Sequence, residues 1–358
     1  MSLQPVRVAV IGTSFASAVQ IPGFQLLPGV EVVAVASARE ERAQEAAEKF
    51  GIPNAFGDWR QMLDSVECDL VSIVTPPYLH HEMTLATIER GRHVFCEKPF
   101  AMNLHEAVEM VQVAERSGLV HGVDHEFRYR PARARMKELI DAGHLGEPRL
   151  IRWGWLLGIL AEPNSRAWSW WSERSKGGGI FGALGSHLID SLLWWFGDIV
   201  DVTAQLGTFI KERPMPPDGA SQGPVTADED VALLFRFASG ARCTVDLTGS
   251  ARPARLLFEA YGSEGALSIE DDERLLTATG TGPWQPAEIP SRLVRTVSGD
   301  PRLAPFVELA DRLVTRVRGG EAPDFADFRQ GLRVQAVMDA AHLSADEGRT
   351  VRVETPAV

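Results

Sequence analysis

No uninterrupted hydrophobic run in this chain approaches the ~18–20 residues a membrane-crossing helix needs. Cysteine is scarce: Cys68, Cys96 and Cys243 are scattered and odd in number, so they define neither a disulfide frame nor a metal-ligand spacing. His80-His81 and His121 with His125 are the only close histidines, and neither group has a convincing second set of ligands, so no metal site is expected. Positive charge is also short. The 36 Lys and Arg against 48 Asp and Glu leave a formal net charge of −12. That is the wrong sign for a nucleic-acid or anionic-membrane partner, both of which need a basic footprint. No signal-peptide pattern precedes the apolar run Arg7-Val8-Ala9-Val10-Ile11-Gly12, and with scattered thiols this predicts a cytoplasmic protein. Short repeats and low-complexity tracts are absent.

What remains is the composition of a globular chain, 45% hydrophobic and 23% charged over 358 residues, long enough for two domains. The first third alternates buried-type strands (Val6–Ile11, Glu31–Ala36, Leu70–Thr75, His93–Cys96, Val120–Val123) with helical stretches ending at glycines. That alternation implies parallel pairing with right-handed crossovers, a doubly wound nucleotide-binding sheet. After the helical stretch Pro131–Ala142 the texture changes to longer strands with two-fold alternation: Arg149–Leu156, Val200–Ile210, Asp230–Phe237, Ala241–Thr248 and Leu256–Tyr261. Ala238-Ser239-Gly240 reads as a hairpin turn, and a largely antiparallel sheet is the simplest arrangement. Lys211–Asp228, rich in proline and glycine, reads as a surface loop, and Phe325–Ser344 as a closing helix. The fold class is thus α/β, with a boundary near 126: a nucleotide-binding domain over 1–126 and an α+β domain over 127–358.

Two features carry chemistry. Gly12-Thr13-Ser14-Phe15-Ala16-Ser17 stands where a dinucleotide fold places its glycine-rich turn, with Ser14 and Ser17 in the slots of the second and third glycines. At the end of the second strand, Ser37 and Arg39 stand where an acid would bind the ribose of NAD. A hydroxyl and a guanidinium suit a 2′-phosphate, which tilts the expectation towards NADP over NAD; the alternative is a solvated helix start formed by Arg39 and Arg42. The second feature is Val94-Phe95-Cys96-Glu97-Lys98-Pro99, an apolar strand that delivers an acid and a base side by side. A lysine at the carboxyl end of a strand, in a chain whose first strand ends in a glycine turn, suggests redox chemistry on a nucleotide cofactor. A lysine beside other cations and partly desolvated becomes a usable base.

These residues carry a resemblance. Thr75-Pro76-Pro77-Tyr78-Leu79-His80 and Gly91 through Glu97-Lys98-Pro99 resemble the glucose–fructose oxidoreductase / inositol dehydrogenase / rhizopine-catabolism (Gfo/Idh/MocA) family. Three further stretches agree: Phe127–Pro131 through Gly146, Gly177-Gly178-Gly179 through Gly185-Ser186-His187-Leu188-Ile189-Asp190, and the closing helix before Glu347-Gly348-Arg349. The resemblance implies a Rossmann domain, a second domain on an open, mostly antiparallel sheet, and hydride transfer between NAD(P) and a sugar, polyol or related alcohol or carbonyl. It also implies a homo-oligomer, a dimer or tetramer joined through the faces of the C-terminal sheets. It makes Lys98 the acid–base residue and His187 its assistant in placing substrate or exchanging its proton. It puts Glu97 on the ribose and Thr75, Pro76, Pro77 and His80 in the cofactor-side loop. His80 is equally a buried helix-start histidine.

The family commonly carries an aspartate four residues before the histidine; this chain has Ala183. That departure keeps open a second reading, a nucleotide- and sugar-binding regulatory protein without catalysis. On a strand running from Val120 to Tyr129, Asp124, Glu126 and Arg128 would share one face. Glu126 and Arg128 are then either cleft residues that touch substrate or an exposed ion pair at the domain junction. Seven of the nine tryptophans lie between Trp153 and Trp195. Trp168 and Trp171, just before the triple glycine, are candidates for stacking on a sugar, against a packing role, which suits Trp194 and Trp195.

Overall fold

The structure, a computed structural model, describes residues 5–358. Its chain forms two compact units, each built around its own sheet.

The first unit holds a six-stranded parallel sheet in the order β3-β2-β1-β4-β5-β6. Its strands are β1 (Val6–Ile11), β2 (Val30–Ala36), β3 (Asn54–Phe56), β4 (Leu70–Ile73), β5 (His93–Cys96) and β6 (His121–Val123). Val, Ile, Leu and Phe dominate the central strands because helices cover both faces. The helices are α1 (Ile21–Gln25), α2 (Glu40–Phe50), α3 (Trp59–Ser65), α4 (His80–Glu89) and α5 (Leu104–Ser117). Local chemistry sets their ends. Asn103 Oδ1 accepts from the Glu106 N–H at 3.0 Å to start α5, and Gly118 in a left-handed conformation ends it.

A cut near 126 needs correcting in one respect. The first unit runs through Tyr129 and also takes back Arg295–Leu332, so the second unit is Arg130–Val294 with Arg333–Ala357. The physical reason is an apolar face at helical spacing. Leu303, Phe306, Val307, Ala310, Leu313 and Val314, on the helix Leu303–Val317 that we number α8, are all buried. Phe306 meets Phe24 edge-on with centroids 5.3 Å apart, and a Cβ at Gly23 would lie 2.3 Å from the Phe306 ring. The sheet needs this helix to cover α1.

The second unit opens with α6 (Pro131–Asp141) and is built on β7 (Pro148–Leu156), α7 (Ser186–Phe196), β8 (Ile199–Gly207), β9 (Glu212–Pro214) and β10 (Gln222–Pro224). Then follow β11 (Asp230–Phe237), β12 (Arg242–Thr248), β13 (Arg255–Gly262), β14 (Gly265–Glu270), β15 (Arg274–Thr279), β16 (Gln285–Pro286) and β17 (Val351–Arg352). Nine of these strands form one sheet, β16-β15-β14-β13-β7-β12-β11-β8-β17. Its pairs are antiparallel except β12 with β7, which run parallel. The closing helix α9 (Phe328–Glu347) belongs to the first unit up to Leu332 and to the second from Arg333.

Trp153 stacks on Trp195 at 5.6 Å and meets Phe258 edge-on at 5.0 Å, so these tryptophans are core. Beside them the buried Arg133 donates to Asp272 from Nε at 2.6 Å and from Nη2 at 3.1 Å. Burial alone would push the Asp272 carboxyl up, but Arg133 and Arg130 hold it below the usual carboxylate range.

The stretch expected as a plain surface loop, Lys211–Asp228, contains the small β9–β10 ladder and a buried arginine. Arg213 Nη2 donates to Glu229 Oε1 at 2.6 Å and to the Leu160 carbonyl at 2.9 Å, and Nη1 to the Glu162 carbonyl at 3.0 Å. Glu229 Oε2 accepts from the N–H groups of Phe209 and Ile210. Composition shows the prolines and glycines of this segment but not the carboxylate that draws Arg213 inward.

Candidate active site

In the first unit, register places the ends of five strands in one row. Ala36 pairs with Ile11, Ile11 with Ile73, Ile73 with Cys96, and Cys96 with Val123. The next residues along each strand are therefore Ser37, Gly12, Val74, Glu97 and Asp124, all at the carboxyl edge. That is where open α/β sheets bind ligands.

Gly12 is required there by geometry. Its φ is +114°, and a Cβ would lie 2.1 Å from the Val74 carbonyl oxygen. The helix expected after it starts as a π turn, Ala16–Gln20, before α1. Thr13, Ser14 and Phe15 form the bend itself, with the Ser17 N–H donating to the Thr13 carbonyl at 3.1 Å. A dinucleotide's pyrophosphate fits this bend, because the missing Cβ leaves backbone exposed at the head of a helical turn.

Beside the β2 end lies a hollow of about 660 Å³ lined by Arg39, Glu40, Glu41, Phe56, Asp58 and Gln61, among others. Ser37 Oγ accepts from the Arg39 N–H at 3.4 Å. The three carboxylates in this wall were not anticipated from the sequence.

The loop after β4 carries Thr75 and Pro76, then a single turn, Pro77–Leu79, that leads into α4. His80 is fully buried, with Nδ1 2.9 Å from the Pro99 carbonyl and Nε2 2.9 Å from the Thr75 carbonyl. The ring clamps the two loops from behind. Burial lowers its proton affinity, against the Thr75 carbonyl and Glu97, which favour the charged ring.

Glu97 and Lys98 close β5, and behind them sits a buried polar network. Gln20 Nε2 donates to Glu97 Oε1 and to Asp124 Oδ2, each at 2.7 Å, and the Ser72 hydroxyl donates to Gln20 Oε1. The Lys98 N–H donates to Glu97 Oε2 at 3.2 Å. Burial first, then Glu126 and Glu97, push the Asp124 carboxyl well above the usual range, against the pull of Lys98. Gln20 and Ser72 were missed by sequence reasoning. The signal for Gln20 was present, a lone amide between Val19 and Ile21 in an apolar stretch.

The alternation expected for Glu126 and Arg128 is not observed, and neither residue is exposed. β6 stops at Val123, the Asp124 N–H donates to the Cys96 carbonyl at 2.9 Å, and Glu126–Tyr129 winds into a 3₁₀ turn. Both side chains are buried, and Arg128 Nη1 donates to the Asp324 carbonyl at 3.2 Å.

In the second unit His187 is buried in the first turn of α7. A π turn, Phe181–Gly185, precedes it, so the four-residue step from Ala183 runs through a widened turn rather than down one α-helical face. The glycines leave room for close approaches. A Cβ at Gly178 would lie 2.5 Å from the carbonyl oxygens of Trp170 and Trp171, and one at Gly179 would lie 2.5 Å from Asp228 Oδ1. Asp228 Oδ2 accepts from the Phe181 N–H at 2.7 Å.

Trp168 is committed to the β9–β10 ladder. Its Nε1 donates to the Pro224 carbonyl at 2.9 Å, and its ring lies against Gly223. Trp171 carries the Arg166 guanidinium 3.9 Å above its ring.

A doubly wound parallel sheet with a glycine turn after its first strand is the layout of a dinucleotide-binding domain, and the Glu97-Lys98 pair adds an acid and a base at the same edge. Comparison with known proteins agrees. Residues 6–125 match the oxidoreductase family with an NAD-binding Rossmann fold, and residues 134–268 match the GFO/IDH/MocA C-terminal domain. An uncharacterized oxidoreductase of Synechocystis sp. is 34% identical over 97% of this chain and 95% of its own length. Levoglucosan dehydrogenase of Pseudarthrobacter phenanthrenivorans is 35% identical over 67% of this chain and 65% of that protein. A solved levoglucosan dehydrogenase in complex with NADH and L-sorbose superposes with a TM-score of 0.90 at 28% identity, covering 99% of this chain and 100% of that one. The chain belongs to the Gfo/Idh/MocA oxidoreductase family and is an NAD(P)-dependent oxidoreductase.

Proposed function

We propose that the enzyme transfers hydride between a nicotinamide cofactor and a CH–OH or carbonyl carbon of a sugar, polyol or similar small molecule. The observation that carries this reading is the row of strand ends that sets Gly12 and the Glu97-Lys98 pair on one edge. The likeness to a dehydrogenase solved with NADH and a sugar supports it. The bound nicotinamide supplies or accepts the hydride. The Gly12–Ala16 turn holds the pyrophosphate, Thr75, Pro76 and Pro77 flank the nicotinamide half, and Glu97 holds the ribose. Lys98 donates to the substrate oxygen in reduction and takes the hydroxyl proton in oxidation. His187 assists in placing the substrate, and Glu126, Arg128, Trp168 and Trp171 support the substrate region through the turns and loops they brace.

NADPH is the modestly preferred cofactor in this reading. Arg39, with Ser37 just before it, receives a 2′-phosphate, while Glu40, Glu41 and Asp58 in the hollow that Arg39 lines temper the preference, so NADH binds as well. The enzyme works in the cytoplasm as a homodimer or homotetramer joined through the nine-stranded sheet, whose strand β11 exposes Leu234. Its thiols are free and buried, in keeping with a reducing compartment.

The test is Lys98→Ala. Cofactor fluorescence should show binding retained, while turnover on a sugar or polyol substrate falls by roughly 10²–10⁴, the usual worth of a general acid–base group. Wild-type turnover in this variant would sink the assignment. Arg39→Ala should weaken NADPH about tenfold and leave NADH unchanged; an equal loss for both removes the 2′-phosphate argument.

A further inference from the structure

We propose that Glu97 and Asp124 work as one unit, a buried carboxyl pair sharing a single proton, clamped by Gln20, and that this pair positions Lys98 at the strand edge. The inference rests on the reading of Lys98 as the acid–base residue.

The two carboxyls set the orientation of Gln20. Their oxygens call for its amide nitrogen, and Oε1 then turns to Ser72, whose hydroxyl can either donate or accept and here donates. The amide's two N–H donors are then both used, one on Glu97 and one on Asp124, at 2.7 Å each. Gln20, Ser72 and Asp124 are fully buried, and Glu97 is only 7% exposed. Two carboxylates held by one amide without solvent cannot both stay ionised; the stable arrangement keeps one proton between them.

Asp124 Oδ1 points the same way. It is buried and has no hydrogen-bond partner among the described residues. The carbonyl oxygen of a neutral acid tolerates that at far lower cost than an ionised oxygen does. The remaining oxygen of Glu97 accepts the Lys98 N–H and so ties the pair to the residue it serves. The titratable and charged groups facing the pair include Lys98 and Glu126 near Asp124, Arg302 and His80 near Glu97, and Cys96 near both. Glu126 adds negative charge at Asp124, which strengthens the need for a retained proton.

The test follows alcohol oxidation across pH in the full-length enzyme, wild type against Glu97→Gln, Asp124→Asn and the double variant. In each single variant the surviving carboxyl carries the one charge, so the acidic limb of kcat/KM stays close to wild type even if kcat falls. The double variant has no charge left. Its limb moves to lower pH by about one unit, the scale of losing one nearby opposite charge. Either single variant moving the limb as far as the double, or a double variant with the wild-type limb, overturns the proposal.

Infrared spectroscopy of the wild type covers the case of variants that do not fold. The carbonyl band of a protonated carboxyl should persist near pH 8 and vanish in Asp124→Asn; its absence from the wild type also overturns the proposal. Wild-type turnover in Lys98→Ala would instead fell the assignment of Lys98, a result separate from the infrared band, which reads the pair itself.

Discussion

The carboxylate of Asp228 accepts the N–H of Phe181 at 2.7 Å, at the first residue of the turn that leads into the helix carrying His187. Gly179 makes the approach possible, since any Cβ there would strike Asp228 Oδ1. Burial raises the Asp228 carboxyl from 3.8 to about 6, against the pull of the Phe181 N–H and of Arg174. A folded value above the unfolded one means that this group's contribution to stability is complete below about pH 4 and is lost as pH rises through 6, roughly 2–3 kcal/mol in all. Asp228→Asn keeps an acceptor for Phe181 and removes the charge. Denaturant titrations at pH 5 and pH 8 should show the variant gaining on the wild type at the higher pH. An identical pH dependence in both proteins would show that Asp228 does not titrate there.

Gly12→Ala should be severe. The added methyl would sit 2.1 Å from the Val74 carbonyl oxygen at a φ of +114°. We expect a loss of about 3 kcal/mol or more in urea unfolding, together with loss of NADH binding. A variant of wild-type stability would mean that the first turn rearranges without cost.

Arg213→Met leaves Glu229 buried and unpaired, in a pair whose two side chains are each only 2% exposed. The expected cost is about 3–5 kcal/mol. Hydrogen exchange should also quicken at the amides of Phe209 and Ile210, which bond to Glu229. Loss of stability without faster exchange at those amides would place the damage elsewhere.

Phe306→Ala tests whether α8 belongs to the nucleotide-binding unit. The ring packs on Phe24 and Phe95 and fills the space left at Gly23. Removing it should cost about 3–5 kcal/mol and weaken NADH binding. An intact cofactor site in a destabilised protein would argue that α8 is a passive neighbour.

Five strands of the parallel sheet were legible because each is a short, largely apolar run; the edge strand β3, three residues with Asn54 exposed, carried no such signal. Gly12 and the Glu97-Lys98 pair were legible because strand ends fix where such residues stand. The helix α8 was not read from the sequence, and its place would have been hidden in any case: a helix whose partner lies far away in the chain looks the same whichever unit it covers. The faces of Glu126 and Arg128 were misread because two-residue spacing informs only while the strand continues, and β6 ends three residues earlier at Val123. Asp228 was hidden because it acts through a hydrogen bond to a residue distant in sequence. Gln20 stood out as a lone amide in an apolar stretch, but its partners Glu97 and Asp124 lie far along the chain.

The late return of α8 to the first unit has a consequence for how the protein is born. When Tyr129 leaves the ribosome, the nucleotide-binding sheet is complete in strands but still lacks the side chains of Leu303, Phe306 and Leu313 in its core. That half cannot complete its core until nearly the whole second unit has been synthesised, so its closing contacts are among the longest in the chain.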